Sequence, residues 1–494
     1  MFFNSIDYLV FFPVVVTLFF ALPHRFRWIL LLASSYFFYM WWKTEYILLI
    51  ASSTLVDYFA SRKMGKLESK AKRWPYLMLS IALNLGILLL FKYFNFFNEN
   101  ARQLAEWLNI TYAIPAFEAL LPMGISFYTL QTMSYSIDVY KGRIQPERHL
   151  GIFALFVSFF PQLVAGPIER ARTLLPQFRK RMTFDYERVT EGLKLIGWGL
   201  FKKIAIADQI APMVNEVFDN HTEYNGFSLV LTSYLFAFQV YCDFAGYSDI
   251  GIGSAKVLGF KLMDNFRRPF LARSMSEFWG RWHISLTSWF RDYLFMPLMR
   301  LKSRKVRWQT GILLIYLVSG LWHGANWTFL AWGLMHAGII IVSRMTPKTK
   351  AAIHRLSGLA RFPKLDYWVD VWITITLFAS STAFFRAIDI HQSIDICIQL
   401  VQGWGSDMRS ILFNSGPGRE HVLFLGQSFA YFLNTWLFIA LLMGLEVLEE
   451  KRGSLIKLVG KQPVLLRWTI YLTCVFCIIL YSAEKEVPFI YFQF

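Results

Sequence analysis

Cysteine is scarce in this sequence, four in 494 residues. Cys242, Cys474 and Cys477 lie in or beside apolar stretches and Cys397 is isolated, which excludes a disulfide framework. The pair Cys474 and Cys477 copies the spacing of a zinc or redox motif, but no second pair and no βαβ pattern accompanies it, so neither chemistry is assigned. Charge is thin as well: 17% of residues, with 33 acids against 50 bases. There is no fixed-period repeat, no low-complexity tract and no separate soluble domain. A phosphate loop is missing too, because Gly251 to Lys256 has the wrong spacing and follows no predicted strand. Asp243 and Asp249 lack the spacing of a calcium loop and read as hydrogen-bonding groups at a helix end.

Apolar residues dominate instead. They make up 55% of the chain, aromatic residues alone 18%, and mean hydropathy is +0.40. This composition predicts a single membrane-embedded domain, residues 1–494, of all-α class, a polytopic helical membrane protein. Apolar runs near 8–22, 28–42, 46–60, 74–91, 192–208, 227–243, 367–385, 428–446 and 466–482 read as crossings. Residues 118–165, broken by prolines and glycines, read as one crossing plus a re-entrant half-helix. With a hairpin at 311–342, the tally is about 11 or 12 transmembrane helices. The first run has no basic leader and no small-residue cleavage pattern, so it is expected to remain as a membrane helix.

The formal charge of +17 falls mainly in short loops between the apolar runs. Basic clusters at 62–73, 170–188, 300–307, 344–364 and 451–461 place those loops in the cytoplasm and both termini outside. The partner implied is a bilayer with anionic lipid, not nucleic acid.

One histidine within the 311–342 run requires explanation. If a helix enters near Gly311, a rise of about 1.5 Å per residue carries His323 about 18 Å inward, near the middle of a hydrocarbon core of about 30 Å. A titratable group at that depth reads as a functional site facing protein or a water-filled cavity, although an imidazole bonded to a neighbouring helix would fit the same sequence. Nearby Gly320 and Gly324 admit close approach, and Asn326 supplies an amide. Upstream, Glu277, Arg281, Ser285, Ser288 and Asp292 recur at helical spacing opposite Phe278, Trp282, Leu286 and Phe290. The pattern predicts one amphipathic or half-inserted helix over 277–292, with His283 off the charged stripe.

Eight stretches carry a resemblance: LPMGISFYTLQTMSYSIDVY at 121–140, FFPQLVAGPIERA at 159–171, YCDFAGYSDIGIG at 241–253, NFRRPF at 265–270, FWGRWHISLTSWFRDYL at 278–294, SGLWHGANWTFLAWGLMHAG at 319–338, FFRA at 384–387 and FIYFQF at 489–494. In this order they resemble the membrane-bound O-acyltransferases, specifically the bacterial branch that modifies exported polymers such as alginate, peptidoglycan and cellulose. The resemblance implies re-entrant helices enclosing a central funnel in a bacterial inner-membrane protein. It implies transfer of an acyl group, acetyl from acetyl-CoA, with no tightly bound cofactor and no metal. It also implies a periplasmic partner of the SGNH-hydrolase type and an exported polysaccharide as final acceptor.

O-acyl transfer needs a base for the acceptor hydroxyl, a donor carbonyl held nearby and groups that stabilise the oxyanion. His323 suits the first role, since an imidazole is ordinarily neutral near pH 7 and can accept a proton. The resemblance places His283 in the reaction chamber or on the donor side; from its neighbours alone it could equally cap a re-entrant helix or bind a headgroup. Asn326 and Trp322 are candidates to orient His323 or the acyl group, with packing as the alternative. Ser285 is a substrate-binding candidate, but nothing in the sequence supplies the base an acylated serine would need. Arg281 and Arg291 either meet donor phosphates or pair with lipid headgroups and Asp292. His336 reads as a packing or supporting histidine. A transporter or flippase of an acyl carrier or glycolipid is the rival reading, because broken helices and an intramembrane histidine would suit it too.

Overall fold

The computed structural model describes residues 1–118, 121–164, 166–300, 307–413, 422–482 and 489–490. It is 79% helix and has no strand among the described residues. Among the described residues, five helical stretches are long and apolar enough to cross a membrane: Lys70–Trp107, Gly226–Leu258, Trp327–Met345, Pro363–Arg386 and Val422–Arg452. Ile6–Ala21 and Val464–Leu480 are shorter apolar helices. The chain is a polytopic helical membrane protein.

The helices are apolar on both faces, as a lipid-exposed helix must be. Ile6–Ala21 buries Tyr8, Phe12, Val15 and Phe19 along one stripe while Ile6, Leu9, Val10, Val14 and Leu18 stay exposed. Lipid, not water, is the solvent that such an exposed stripe suits. Val464–Leu480 buries no residue at all.

The chain divides into two compact units, Met1–Ile196 with Tyr247–Asp264, and Gly197–Gly246 with Asn265–Phe494. In the first unit, Ser5 and Ser69 start their helices by accepting from Tyr8 N and Lys72 N. Ile47–Met64, Lys70–Leu88 and Ile125–Tyr140 are joined by a buried polar knot. The Asp57 carboxylate accepts from Ser80 Oγ and from Asn84 Nδ2 at 3.1 and 2.9 Å, and Ser53 Oγ donates to Asn84 Oδ1 at 2.7 Å. In an apolar medium each such group left unpaired would be costly, so the bonds fix which faces of the helices meet.

In the second unit the decisive element is a helical hairpin, Trp308–His323 and Trp327–Met345. Its helices approach so closely that a Cβ at Gly320 would lie 2.2 Å from Phe329 O, and one at Gly333 2.3 Å from Tyr316 O. Glycine at both positions is a packing requirement. Two short helices, Met275–Arg281 and Ile284–Phe290, belong to the same unit.

Several sequence expectations change. The single helix over 277–292 is two helices broken at His283, whose backbone is left-handed at φ 42°, ψ 53°. Asp243 and Asp249 are not at a helix end but inside the 33-residue helix Gly226–Leu258. Asp243 is ion-paired there: Lys203 Nζ lies 2.9 Å from Asp243 Oδ1 and 2.8 Å from Asp208 Oδ1. The interrupted stretch 118–165 holds Ile125–Tyr140, Leu150–Ser158 and Phe160–Leu163. The stretch between the crossings expected near 367–385 and 428–446 contains the helices Ile390–Gln399 and Trp404–Phe413. His24 is the first residue of the helix His24–Met40, His354 and His391 sit within Pro347–Leu356 and Ile390–Gln399, and His421 lies outside the described residues. Of the terminal FIYFQF, only Phe489 and Ile490 are described.

Replacing Gly333 with Leu should lower the thermal midpoint of the detergent-solubilised protein, since overpacking a tight contact costs about 1–3 kcal/mol or more. Gly338, where a Cβ would meet nothing within 4 Å, is the control, and Gly338→Ala should leave the midpoint in place.

Candidate active site

His323 is the last residue of Trp308–His323. The chain turns through Gly324 and Ala325, and Asn326 caps the next helix by accepting from Thr328 N at 3.1 Å. This turn holds His323 at 4% exposure inside an aromatic cage, with ring centroids 5.1 Å from Trp322, 5.0 Å from Trp332 and 5.4 Å from Phe385. A small cavity opens beside the imidazole. Trp279, Trp282, Trp332, Phe378 and Phe385 wall it, and its polar side chains are His323, Ser381 and Thr382. Its free volume is about 20 Å³, room for roughly one water.

Behind this wall, His336 is fully buried with Nε2 3.0 Å from Ser381 Oγ. The Ser381 hydroxyl proton is directed at Phe378 O, 2.6 Å away, so His336 Nε2 carries the proton and donates to Ser381. Thr382 Oγ1 likewise donates to its own helix, at Ala379 O, 2.6 Å away.

His283 is organised by Asn265. Asn265 Oδ1 lies 3.1 Å from His283 Nδ1 and accepts from Ser285 Oγ at 2.9 Å, while Asn265 O accepts from Ile284 N at 2.9 Å. Because that amide oxygen only accepts, Nδ1 of His283 carries the proton and Nε2 is the basic atom. Arg267 N donates to Arg281 O at 2.9 Å, and Arg268 is also left-handed, at φ 47°, ψ 59°. Two facing turns, each strained by about 1–2 kcal/mol, are thus held by mutual backbone bonds. The His283 ring packs on Phe244 at 4.7 Å and on Trp322 at 5.8 Å, which makes Trp322 the common neighbour of both histidines. Phe489 reaches the other side of this stack, 5.5 Å from Phe244, and Ile490 N donates to Asp243 Oδ2 at 2.7 Å.

The family profile described as "MBOAT, membrane-bound O-acyltransferase family" matches residues 149–357. Over 509 aligned positions the chain is 31% identical to the "Probable alginate O-acetylase AlgI" of Pseudomonas putida, covering 99% of both chains. It is 37% identical to the protein of that name in Azotobacter vinelandii, over 69% of this chain and 68% of that one. A "Peptidoglycan O-acetyltransferase" of Helicobacter pylori is 32% identical over 71% of this chain and 69% of its own. The chain belongs to the membrane-bound O-acyltransferase family. It is therefore an enzyme, a membrane O-acyltransferase.

In this acyltransferase the expected site residues separate. His323 lines the cavity, Trp322 lies between the two histidines, and His283 and Ser285 share Asn265. The Ser285 hydroxyl donates to an amide oxygen, an arrangement that does not activate a nucleophile. Asn326 points elsewhere, its Nδ2 donating to Ile388 O at 2.8 Å. Arg281 pairs with Glu277 Oε1 at 2.7 Å and Glu450 Oε1 at 3.1 Å. Burial works against its charge, yet those carboxylates outweigh it and raise its pKa above the ordinary arginine value. Arg291 is paired with Asp292 at 2.9 Å and is 62% exposed. Sequence reading missed Asn265, Trp279, Trp332, Phe378, Ser381 and Phe385 as site residues. Asn265, Trp279, Trp332 and Phe385 stand in stretches that carry the resemblance, whereas nothing in sequence singles out Phe378 or Ser381.

Replacing Asn326 with Ala should destabilise the protein by about 1 kcal/mol through loss of a helix cap, and Asn326→Ser should recover most of it. Chemical denaturation in detergent, read against activity per folded molecule, checks this.

Proposed function

We propose that the enzyme takes an acetyl group from acetyl-CoA at the cytoplasmic face and delivers it across the membrane for O-acetylation of an exported polysaccharide. In this reading His323 removes the proton from an acceptor hydroxyl as its oxygen attacks the thioester carbonyl. The carbon–sulfur bond then breaks, and the CoA thiolate takes up the proton held by the imidazolium. The supporting observation is a buried imidazole that lines a small cavity walled mainly by aromatic rings, where water is scarce and a thioester is protected from hydrolysis. The cavity is smaller than an acetyl thioester needs, so entry of the donor turns at least one aromatic ring aside.

His283, kept neutral by burial and oriented by Asn265, flanks the path on the donor side and shares Trp322 with the base. Arg281, by exchanging a carboxylate, and the exposed Arg291 are the cations offered to donor phosphates. Ser285 supports His283 through their shared amide. The names of the relatives, alginate O-acetylase and peptidoglycan O-acetyltransferase, favour a polysaccharide of one of these types as final acceptor. A periplasmic SGNH-type protein would carry the acetyl group the last step, and the enzyme would sit in the bacterial inner membrane with both termini on the periplasmic side. The basic loops support that orientation.

Inverted membrane vesicles from the native host, lacking the chromosomal copy and expressing a variant, supply the natural acceptor. Given radiolabelled acetyl-CoA, His323→Ala should lose at least about 10²-fold in base-labile label incorporation, the contribution of a general base. Its detergent thermal midpoint should stay near wild type. Undiminished incorporation by this variant would refute the assignment.

A further inference from the structure

The hydrogen-bond donors around the cavity are unevenly committed. Both hydroxyls that line it, Ser381 and Thr382, direct their protons to carbonyls of their own helix. Trp279 differs. It stands on the short helix Met275–Arg281, lines the cavity that His323 lines, and is 7% exposed, yet its Nε1 has no hydrogen-bond partner among the described residues. The rings nearest to it, His336 at 5.2 Å, Phe278 at 5.6 Å, Trp332 at 5.7 Å and Tyr316 at 5.8 Å, meet it edge-on without a hydrogen bond to its N–H. An indole N–H can only donate, and a buried one ordinarily finds an acceptor. Its indole N–H is therefore uncommitted and can be taken up by an acceptor that enters the cavity Trp279 lines.

We infer that Trp279 is a further catalytic residue, whose indole N–H donates to the acyl carbonyl oxygen and stabilises the oxyanion formed when the acceptor hydroxyl adds. This rests on the reading of His323 as the base for acyl transfer. The chemistry fits the position. Addition to the thioester moves negative charge onto the carbonyl oxygen, and a fixed donor in a dry aromatic site stabilises that charge more than the neutral ground state. No proton leaves the indole; the hydrogen bond shortens as the tetrahedral adduct forms and relaxes when the carbon–sulfur bond breaks. Trp279 and His283 stand on opposite sides of the helix break, Trp279 within Met275–Arg281 and His283 at the start of Ile284–Phe290.

The test uses the same vesicles and measures CoA thiol release with saturating acetyl-CoA and with dithioacetyl-CoA, in which the carbonyl oxygen is replaced by sulfur, a weaker hydrogen-bond acceptor. Trp279→Phe keeps an aromatic wall and removes the donor. It should lower kcat with acetyl-CoA about a hundredfold, the usual cost of one oxyanion donor, with little change in KM. It should also lose most of the wild-type preference for the oxygen donor. Replacing Trp279 with its benzothiophene analogue, which has sulfur for N–H and the same shape, should behave alike and guards against a folding defect in the phenylalanine variant. If kcat stays at the wild-type level, or if both donors lose rate equally, the inference is wrong and the indole is packing. His323→Ala run in parallel separates the two claims: if it is inactive while the Trp279 variants are normal, only the oxyanion donor fails, whereas an active His323→Ala removes the base itself.

Discussion

The arrangement depends on one close approach, that of the helices Trp308–His323 and Trp327–Met345. Gly320 and Gly333 let backbone meet backbone, with no room for even one added carbon at either position. That contact fixes where the first helix ends and therefore where His323 is presented. Because the turn that follows is only three residues long and its last residue caps the second helix, the imidazole has little freedom to leave its cage. A titratable group in an apolar interior is costly, and here it borders a cavity with few other polar groups.

A second device positions His283. The amide of Asn265 and two left-handed residues, His283 and Arg268, tie the NFRRPF stretch to the break between two short helices. Local backbone strain is sustained because the surrounding hydrogen bonds over-determine it. Phe489 and Ile490 extend the same packing toward Asp243, which a buried lysine, Lys203, holds as an ion pair. In hydrocarbon an isolated charge would not be tolerated, so the pairing is what permits charged groups at this position.

Much of this was readable in the residues. The helical class follows from apolar runs that only helices can carry through lipid, and His323, singled out by an uncharged run interrupted by glycines, does line a cavity. The broken helix at His283 was not readable, because a 3.6-residue period cannot register a left-handed residue whose stabilising partner stands 18 residues upstream. Asp243 was placed at a helix end because its counter-ion, Lys203, lies on a different helix. Asn326 drew attention by its nearness to His323 in sequence, yet its amide bonds to a carbonyl 62 residues away. Trp279 and Ser381 reach the cavity from separate helices, and no spacing rule relates them to His323. Family motifs therefore located the neighbourhood, while tertiary hydrogen bonds decided which atoms face it.

The account holds that the acyl carbonyl reacts beside His323, inside the aromatic cage. A structure of the purified enzyme in lipid nanodiscs with a non-transferable acetyl-CoA analogue tests this most directly. The account predicts the analogue's carbonyl carbon in an enlarged cavity between Trp279, Trp332 and Phe385, within reach of the His323 imidazole. An analogue bound with its acyl end elsewhere, and the cage around His323 still closed, would contradict it.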